Sequence, residues 1–107
     1  MNMSSKRRAE LRGDAHHLTA KVHLGKEGLT PALVDALDET LRTHELVKVQ
    51  LNRMADAKPK DAAAALADAA AAEVVQVIGR TVTLYRHNPH LERKPGAVPP
   101  WKDRQVL

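Results

Sequence analysis

The chain of 107 residues contains no cysteine and no phenylalanine, and it has a single tyrosine and a single tryptophan. The lack of cysteine excludes disulfides, thiolate metal sites and thiol nucleophiles. Proteins that stack bases on aromatic platforms need several exposed rings, so this composition excludes that class of nucleic-acid binder as well. The interior must therefore be built from Leu, Val, Ile and Ala.

Long, strongly apolar runs are also missing. Residues 62–72 are mostly alanine and are interrupted by Asp68, so this run is too short and too weakly apolar to span a bilayer. The start of the chain, MNMSSKRRAE, carries charge with no apolar stretch behind it, unlike a signal peptide. We expect one cytoplasmic domain with no membrane partner, since a chain of this length can hold one modest core.

Positive charge is concentrated at the two ends of the chain. Residues 1–13 and residues 86–107 each carry a net charge of +3, whereas the segment between them carries −2. This distribution is typical of a protein that binds a polyanion, more often nucleic acid than membrane. A basic surface kept only for solubility explains the charge equally well, so charge alone leaves both interpretations open.

Helix caps and apolar spacing predict the first half of the fold. Ser4 or Ser5 can cap a first helix that runs to about Asp14. Residues 19–24 alternate between apolar and polar, which predicts a half-buried strand. Thr30 followed by Pro31 is a good helix start, and leucine and valine then recur at helical spacing up to residue 41.

The second half reads as a strand, a helix and a hairpin. Residues 45–51, ELVKVQL, alternate like a strand. Residues 56–72 predict an alanine-rich helix, and because no glycine stops it we expect a soft edge there. Residues 73–86 predict a hairpin with a type II′ turn at Gly79-Arg80. The strand residues expected in the core are Val47, Val49, Val77, Ile78, Val82 and Leu84.

This order, α-β-α-β-α-β-β, predicts an α/β fold with a four-stranded mixed sheet packed by about three helices. Right-handed crossovers favour a parallel core made of the first three strands, and the hairpin makes the last strand antiparallel to the one before it. We assign residues 1–88 to the domain. Residues 89–107 hold four of the six prolines, which predicts a basic tail without regular structure.

Two of the five glycines lie in VHLGKEGLTP, residues 22–31, on either side of Lys26. Gly25 and Gly28 stand between a strand and a helix N-terminus, where free N–H groups and the helix dipole favour phosphate. Two glycines allow a phosphate to approach the backbone, but the dihedral angles of a turn can also require them. Neither a P-loop nor a dinucleotide fingerprint is present, and Glu27 opposes a bare anion pocket.

The histidines and carboxylates do not form a recognisable catalytic or metal site. His87 and His90 flank Pro89 in the irregular tail, so no helix sets their geometry, and no three ligands converge from their spacing. No nucleophile is paired with a base. We therefore predict a protein that is not an enzyme and that binds no metal or cofactor.

Several sequence blocks resemble a known family when taken in their order and spacing: SSKRRAELRGDAHHL, VHLGKEGLT, THELVKVQL and VQVIGRTVTLYR. Through them residues 4–86 resemble the bacterial YhbY-like proteins of the CRM (chloroplast RNA splicing and ribosome maturation) family. The resemblance implies a fold similar to the C-terminal domain of translation initiation factor three, and RNA binding. The positions that match the family's basic helix, GxxG loop and further basic residues are Lys6, Arg7, Arg8, Arg12, Gly25, Lys26, Gly28, Lys48, Arg80 and Arg86.

The resemblance also implies an association with precursors of the large ribosomal subunit. We thus expect a monomeric assembly factor that contacts ribosomal RNA and has no small-molecule substrate, with the first helix and the GxxG loop forming one cationic surface. Two alternatives stay open. One is a KH-like regulator of small RNAs or messages, and the other is an adaptor that binds a ribosomal protein through the alanine-rich helix and the tail.

Overall fold

A computed structural model describes residues 3–91 and 99–101. The elements follow the predicted order: α1 (Ser5–Ala15), β1 (Val22–Leu24), α2 (Pro31–His44), β2 (Leu46–Leu51), α3 (Pro59–Ala70), β3 (Glu73–Ile78) and β4 (Thr81–Tyr85). The predicted α/β class with a four-stranded mixed sheet is confirmed. Within these two ranges, no helix combines the length and the apolar character needed to cross a membrane.

The strands lie in the order β1-β2-β4-β3. β1 and β2 are parallel, and β4 is antiparallel to both of its neighbours, β2 and β3. The expected parallel core of three adjacent strands is therefore wrong, because only β1 and β2 pair in parallel. β3 runs in the same direction as these two strands, but the hairpin folds β4 back between β3 and β2.

The two faces of the sheet carry separate apolar clusters. Val47, Val49 and Leu51 of β2 pack in the larger cluster with residues of α2 and α3, whereas Leu46 packs in a smaller cluster with Leu11 of α1. Successive side chains of a strand point to opposite faces. α2 and α3 therefore cover one face, and α1 lies on the other.

The predicted helix caps are confirmed. The hydroxyl of Ser4 accepts a hydrogen bond from Arg7 N at 3.0 Å, and the hydroxyl of Thr30 accepts one from Leu33 N at 3.1 Å. β1 is shorter than predicted, because it begins at Val22. Lys21 is nevertheless attached to β2 through one backbone hydrogen bond.

α3 ends without glycine in a regular C-terminal motif. Ala71 takes a left-handed conformation with φ 53° and ψ 47°. Its N–H donates to Asp68 O at 3.4 Å, and the N–H of Ala72 donates to Ala67 O at 2.8 Å, which is the Schellman arrangement. An alanine replaces the usual glycine there, at a cost of about 1–2 kcal/mol. The soft edge expected at this end stays a prediction.

One expectation about the core needs correction, and one contact of the tail was not expected. Ile78 is 62% exposed and is not a core residue. It pairs with Thr81 beside the turn, so its side chain lies on the face of the sheet that α1 packs against, at a level that α1 does not cover. Trp101 is only 5% exposed and packs in the α1 cluster, so this part of the tail rests on the domain.

Gly79 has the positive φ, 56°, that the predicted turn requires. The predicted boundary after residue 88 stays a prediction, and the basic tail residues 93, 94, 102 and 104 lie outside the described ranges.

Candidate nucleic-acid interface

The loop that contains Gly25 and Gly28 is an exposed turn at one end of the sheet. Gly28 N donates to Gly25 O at 3.1 Å, which closes the turn. The loop follows directly after Leu24, which pairs with Leu51 at the end of β2. Lys26 at the tip is exposed, and the loop is therefore open to a ligand from solvent.

Backbone conformation explains why glycine occupies one position of the loop, but it does not explain the other. Gly28 has a φ of 71°, in the left-handed region that favours glycine. Gly25 does not have a positive φ, and a Cβ added to it would meet no atom within 4 Å. The fold therefore requires glycine at position 28 and does not require it at position 25. Gly13 is equally unconstrained, so Gly25 differs from it only in its place beside Lys26 in the loop.

The loop offers more free backbone donors than the helix that follows it. Within the described ranges, the N–H groups of Lys26, Glu27 and Leu29 have no hydrogen-bond acceptor. In the first turn of α2, Pro31 has no N–H and that of Leu33 is capped by Thr30. Phosphate would therefore be held by the loop amides and Lys26 more than by the end of the helix.

The basic residues of α1 fall into two pairs. The guanidinium carbon of Arg7 lies 5.4 Å from the ring centroid of Tyr85, and Arg7 Nη2 donates to the tyrosine hydroxyl at 3.4 Å. This hydrogen bond is the main reason that the pKa of Arg7 is raised above its ordinary value. Arg8 donates to the carbonyl of Val74. These two arginines are therefore half-buried and hold α1 against the sheet.

Lys6 and Arg12 form the second pair. Both side chains are exposed, and neither has a hydrogen bond or an ion pair with any residue that the structure describes. Of the four basic residues predicted on this helix, these two are the ones whose charge is available to a ligand.

Arg7 of α1 and the GxxG loop lie at different levels of the sheet. Arg7 lies on Tyr85, which pairs with Leu46 at the start of β2, whereas the loop lies beside Leu51 at the end of the same strand. Five residues of strand separate these levels by about 17 Å. Part of the sheet therefore lies between Arg7 and the loop, and the expectation that the first helix and the GxxG loop form one cationic surface stays a prediction.

Arg80 joins the hairpin to the loop after β2. Its guanidinium donates to the carbonyls of Leu51 at 3.4 Å, Asn52 at 2.7 Å and Ala55 at 3.2 Å. These bonds give Arg80 a role in the fold, and its contact with RNA stays a prediction.

Arg86 connects β4 to both helices of the opposite layer. Its Nη1 lies 2.8 Å from the carboxylate of Asp38 and donates to Ala70 O at 2.8 Å. Arg86 thus caps the end of α3, and Asp38 neutralises part of its charge. The contact of Arg86 with RNA also stays a prediction. Lys48, the remaining predicted residue, lies on the α1 face of β2, half-buried and without such a partner in the described ranges.

Two further basic residues lie near the predicted ones, although the sequence did not single them out. Arg53 is exposed in the loop after β2, and this loop is tied to β1 because Asn52 N donates to Leu24 O at 2.8 Å. Lys21 is exposed beside Lys48. Adjacent parallel strands end at the same edge of a sheet, and this rule could have pointed to Arg53 once β1 and β2 were known to pair.

Comparisons with known proteins agree with this fold. The model of the CRS1 / YhbY (CRM) domain family matches residues 3–86. The chain is 33% identical over 86 residues to the probable RNA-binding protein YqeI of Bacillus subtilis, a match that covers 80% of this chain and 90% of that one. It is 38% identical over 85 residues to an RNA-binding protein of Haemophilus influenzae, covering 78% and 85% of the two chains.

A solved structure also resembles it. The solution structure of the protein SAV1595 from Staphylococcus aureus superimposes with a TM-score of 0.72 at 30% sequence identity. The superposition covers 92% of this chain and 100% of the other. The range matched by the family model, residues 3–86, includes both α1 and the GxxG loop.

Proposed function

The chain belongs to the CRS1 / YhbY (CRM) domain family, and we propose on this basis that it binds RNA at the end of the sheet formed by the GxxG loop. We further propose that its RNA is ribosomal and that it acts in assembly of the large ribosomal subunit. Two curated relatives carry RNA binding in their names. With one tyrosine, one tryptophan and no phenylalanine in the sequence, the protein would recognise the phosphate backbone and RNA shape more than base identity.

The observation that carries the proposal is Gly25. The fold does not need glycine there, yet close approach of an RNA backbone to the loop amides does. Lys26 lies exposed between the two glycines and supplies a charge for the same phosphate. Together they make a small site that favours a phosphodiester group over a neutral ligand.

Crosslinking in cells tests the proposal. The protein is crosslinked to RNA, purified, and the attached RNA is sequenced, while sedimentation of the lysate shows which particles contain it. We expect reads from large-subunit ribosomal RNA and co-sedimentation with its precursors. Reads spread over messages or small RNAs would instead support the KH-like alternative, which the structure disfavours because this GxxG loop follows a strand.

The adaptor alternative differs in its response to salt. RNA affinity that depends on phosphate contacts falls with salt, with a log–log slope of about −0.7 per contact for a single strand. A contact made by the alanine-rich surface of α3 would respond weakly. Retention on precursor particles that resists salt and survives nuclease treatment would therefore favour the adaptor.

A further inference from the structure

The part of the sheet between α1 and the GxxG loop is open on one side. α1 and its cluster cover the level of Leu46, where Tyr85 pairs with it. Beyond that level the same face carries the buried Thr83 and the exposed, apolar Ile78, together with six polar or basic residues that are at least partly exposed. We call these six residues the open half of the sheet: Lys21, His23, Lys48, Gln50, Gln76 and Thr81.

The register shows that these residues share one face. Gln50 pairs with His23 on one side and with Thr81 on the other, and the hydroxyl of Thr81 donates to the side-chain oxygen of Gln50 at 2.9 Å. One level closer to α1, Thr83 pairs with both Lys48 and Gln76. The open half therefore consists of two polar rows. The first ends beside the exposed, apolar Ile78, which pairs with Thr81, and the second includes the buried Thr83 between Lys48 and Gln76.

Lys21 and Lys48 lie side by side in this surface. The N–H of Lys21 donates to Lys48 O at 3.1 Å, which places the two residues on adjacent chains next to each other. Like charges in such positions disfavour folding. In the described ranges neither ammonium group has an ion-pair or hydrogen-bond partner, whereas Arg42 and Arg86 each pair with an acid.

The surroundings of the lysine pair are suited to an anion. The open half contains no acidic residue. At its border with α1, a shallow cavity of about 180 Å³ is lined by both lysines, His17 and Trp101. Because a polyanion would relieve the repulsion between the lysines, the pair is better explained by a bound ligand than by the stability of the fold.

We propose that the open half of the sheet is a second RNA-contact surface, which holds one RNA strand between the GxxG loop and α1. The lysine pair contacts phosphates, and the amides of Gln50 and Gln76 with the hydroxyl of Thr81 bond to 2′-hydroxyls or base edges. Among the six residues only His23 carries a ring, so the surface holds the strand mainly through charged and polar contacts. This inference rests on the proposed RNA binding, and it joins the loop to the exposed cations of α1.

A paired charge-removal experiment tests the inference. The full chain with Lys21→Ala and Lys48→Ala is compared with a control carrying Lys58→Ala and Lys60→Ala, which removes the same charge from the exposed side of α3. Binding of a short labelled single-stranded RNA is followed by fluorescence anisotropy over a range of KCl concentrations. We expect the first variant to bind about tenfold more weakly, with a salt slope smaller by about 1.4, and the control to stay within about twofold of the wild type.

Each outcome separates the inference from the proposed function. Wild-type protein that fails to bind RNA overturns both. Equal losses in the two double variants overturn the inference alone, because affinity would then follow net charge. The same holds if a poly-glutamate peptide competes as well as RNA of equal charge, since the surface would then be a general polyanion site.

A second variant addresses the polar rows. Gln50→Ala leaves the charge unchanged and should reduce the preference for RNA over DNA of the same sequence by several-fold, because it removes a partner for the 2′-hydroxyl. An unchanged preference would contradict this part of the inference. Urea unfolding of every variant checks that it is folded, and loss of the lysine pair should leave the unfolding midpoint equal to or above that of the wild type.

Discussion

The indole Nε1–H of Trp101 donates to the carboxylate of Asp14 at 3.2 Å. The ring also meets Tyr85 edge-on, with 5.9 Å between the ring centroids. A segment far along the chain is thereby fixed to α1 and to the end of β4. The part of the tail that the structure describes belongs to the packing of the domain, although it lies beyond the residues that the family model matches.

Trp101→Ala should lower the free energy of unfolding by about 3 kcal/mol, because it removes a large buried side chain from the α1 cluster. Urea unfolding followed by far-UV circular dichroism measures this change. Trp101→Phe is the control, since it keeps most of the apolar contact and loses only the donor, at a cost of about 1 kcal/mol. An alanine variant with the wild-type midpoint would show that the tail contributes nothing to stability.

Substitutions at the two loop glycines should separate stability from RNA binding. Gly25→Ala is expected to leave stability unchanged and to weaken RNA binding, since the added Cβ has room in the free protein and would stand between the loop and a phosphate. Gly28→Ala should instead cost about 1 kcal/mol of stability, because its φ is positive. Thermal unfolding and RNA anisotropy measure both effects.

A negative charge in the loop gives a stronger test of the same site. Gly25→Asp, and likewise Gly28→Asp, should reduce RNA affinity by more than Ala64→Asp, which makes the same change of charge on exposed α3. If all three aspartate variants lose affinity equally, the loop has no special role in RNA binding.

Substitutions of the basic residues of α1 should also separate effects on stability from effects on RNA binding. Replacing Lys6 and Arg12 together by alanine should reduce RNA affinity and the salt slope, by about 1.4 if both touch phosphates, with little change in stability. Arg7→Ala should lower the free energy of unfolding by about 1 kcal/mol, because it removes the contact with Tyr85. A double variant with the wild-type salt slope would mean that Lys6 and Arg12 do not touch RNA.

Ala71→Gly should stabilise the protein. Glycine relieves the left-handed strain at the end of α3, and after the loss of chain entropy the free energy of unfolding should rise by about 0.5–1 kcal/mol. Ala69→Gly, two residues earlier and inside α3, has ordinary helical geometry and should lower the free energy of unfolding by about 1 kcal/mol. Equal effects of the two substitutions would contradict the Schellman motif.

Local signals in the sequence predicted the elements well. The cap at Thr30, the proline after it and the glycine turn at Gly79 act within a few residues, so their geometry could be read directly from the chain. The order of the strands could not, because the pairing of β4 with β2 joins residues far apart in sequence. The exposure of Ile78 follows from that order and from the size of α1, and neither is encoded near residue 78.

The sequence predicts the loop of the candidate site because its residues are neighbours in the chain. It does not predict which basic side chains are free, because that depends on long-range contacts. Lys26 and the glycines lie in one loop, so they stay together in any fold that contains it. Whether a basic side chain is available to a ligand depends on its neighbours in the fold. Arg7 contacts Tyr85 and Arg86 pairs with Asp38, whereas Arg12 is exposed to solvent. A count of charges along the sequence cannot distinguish these cases.

The central position of β4 has a consequence for synthesis of the protein. The last strand made is the one that pairs with both β2 and β3. Until it leaves the ribosome, the nascent chain exposes an edge of β2, and such an edge can pair with another chain. The sheet can therefore be completed only after β4 has been made, and a stall in translation shortly before residue 81 should leave the nascent chain prone to aggregation.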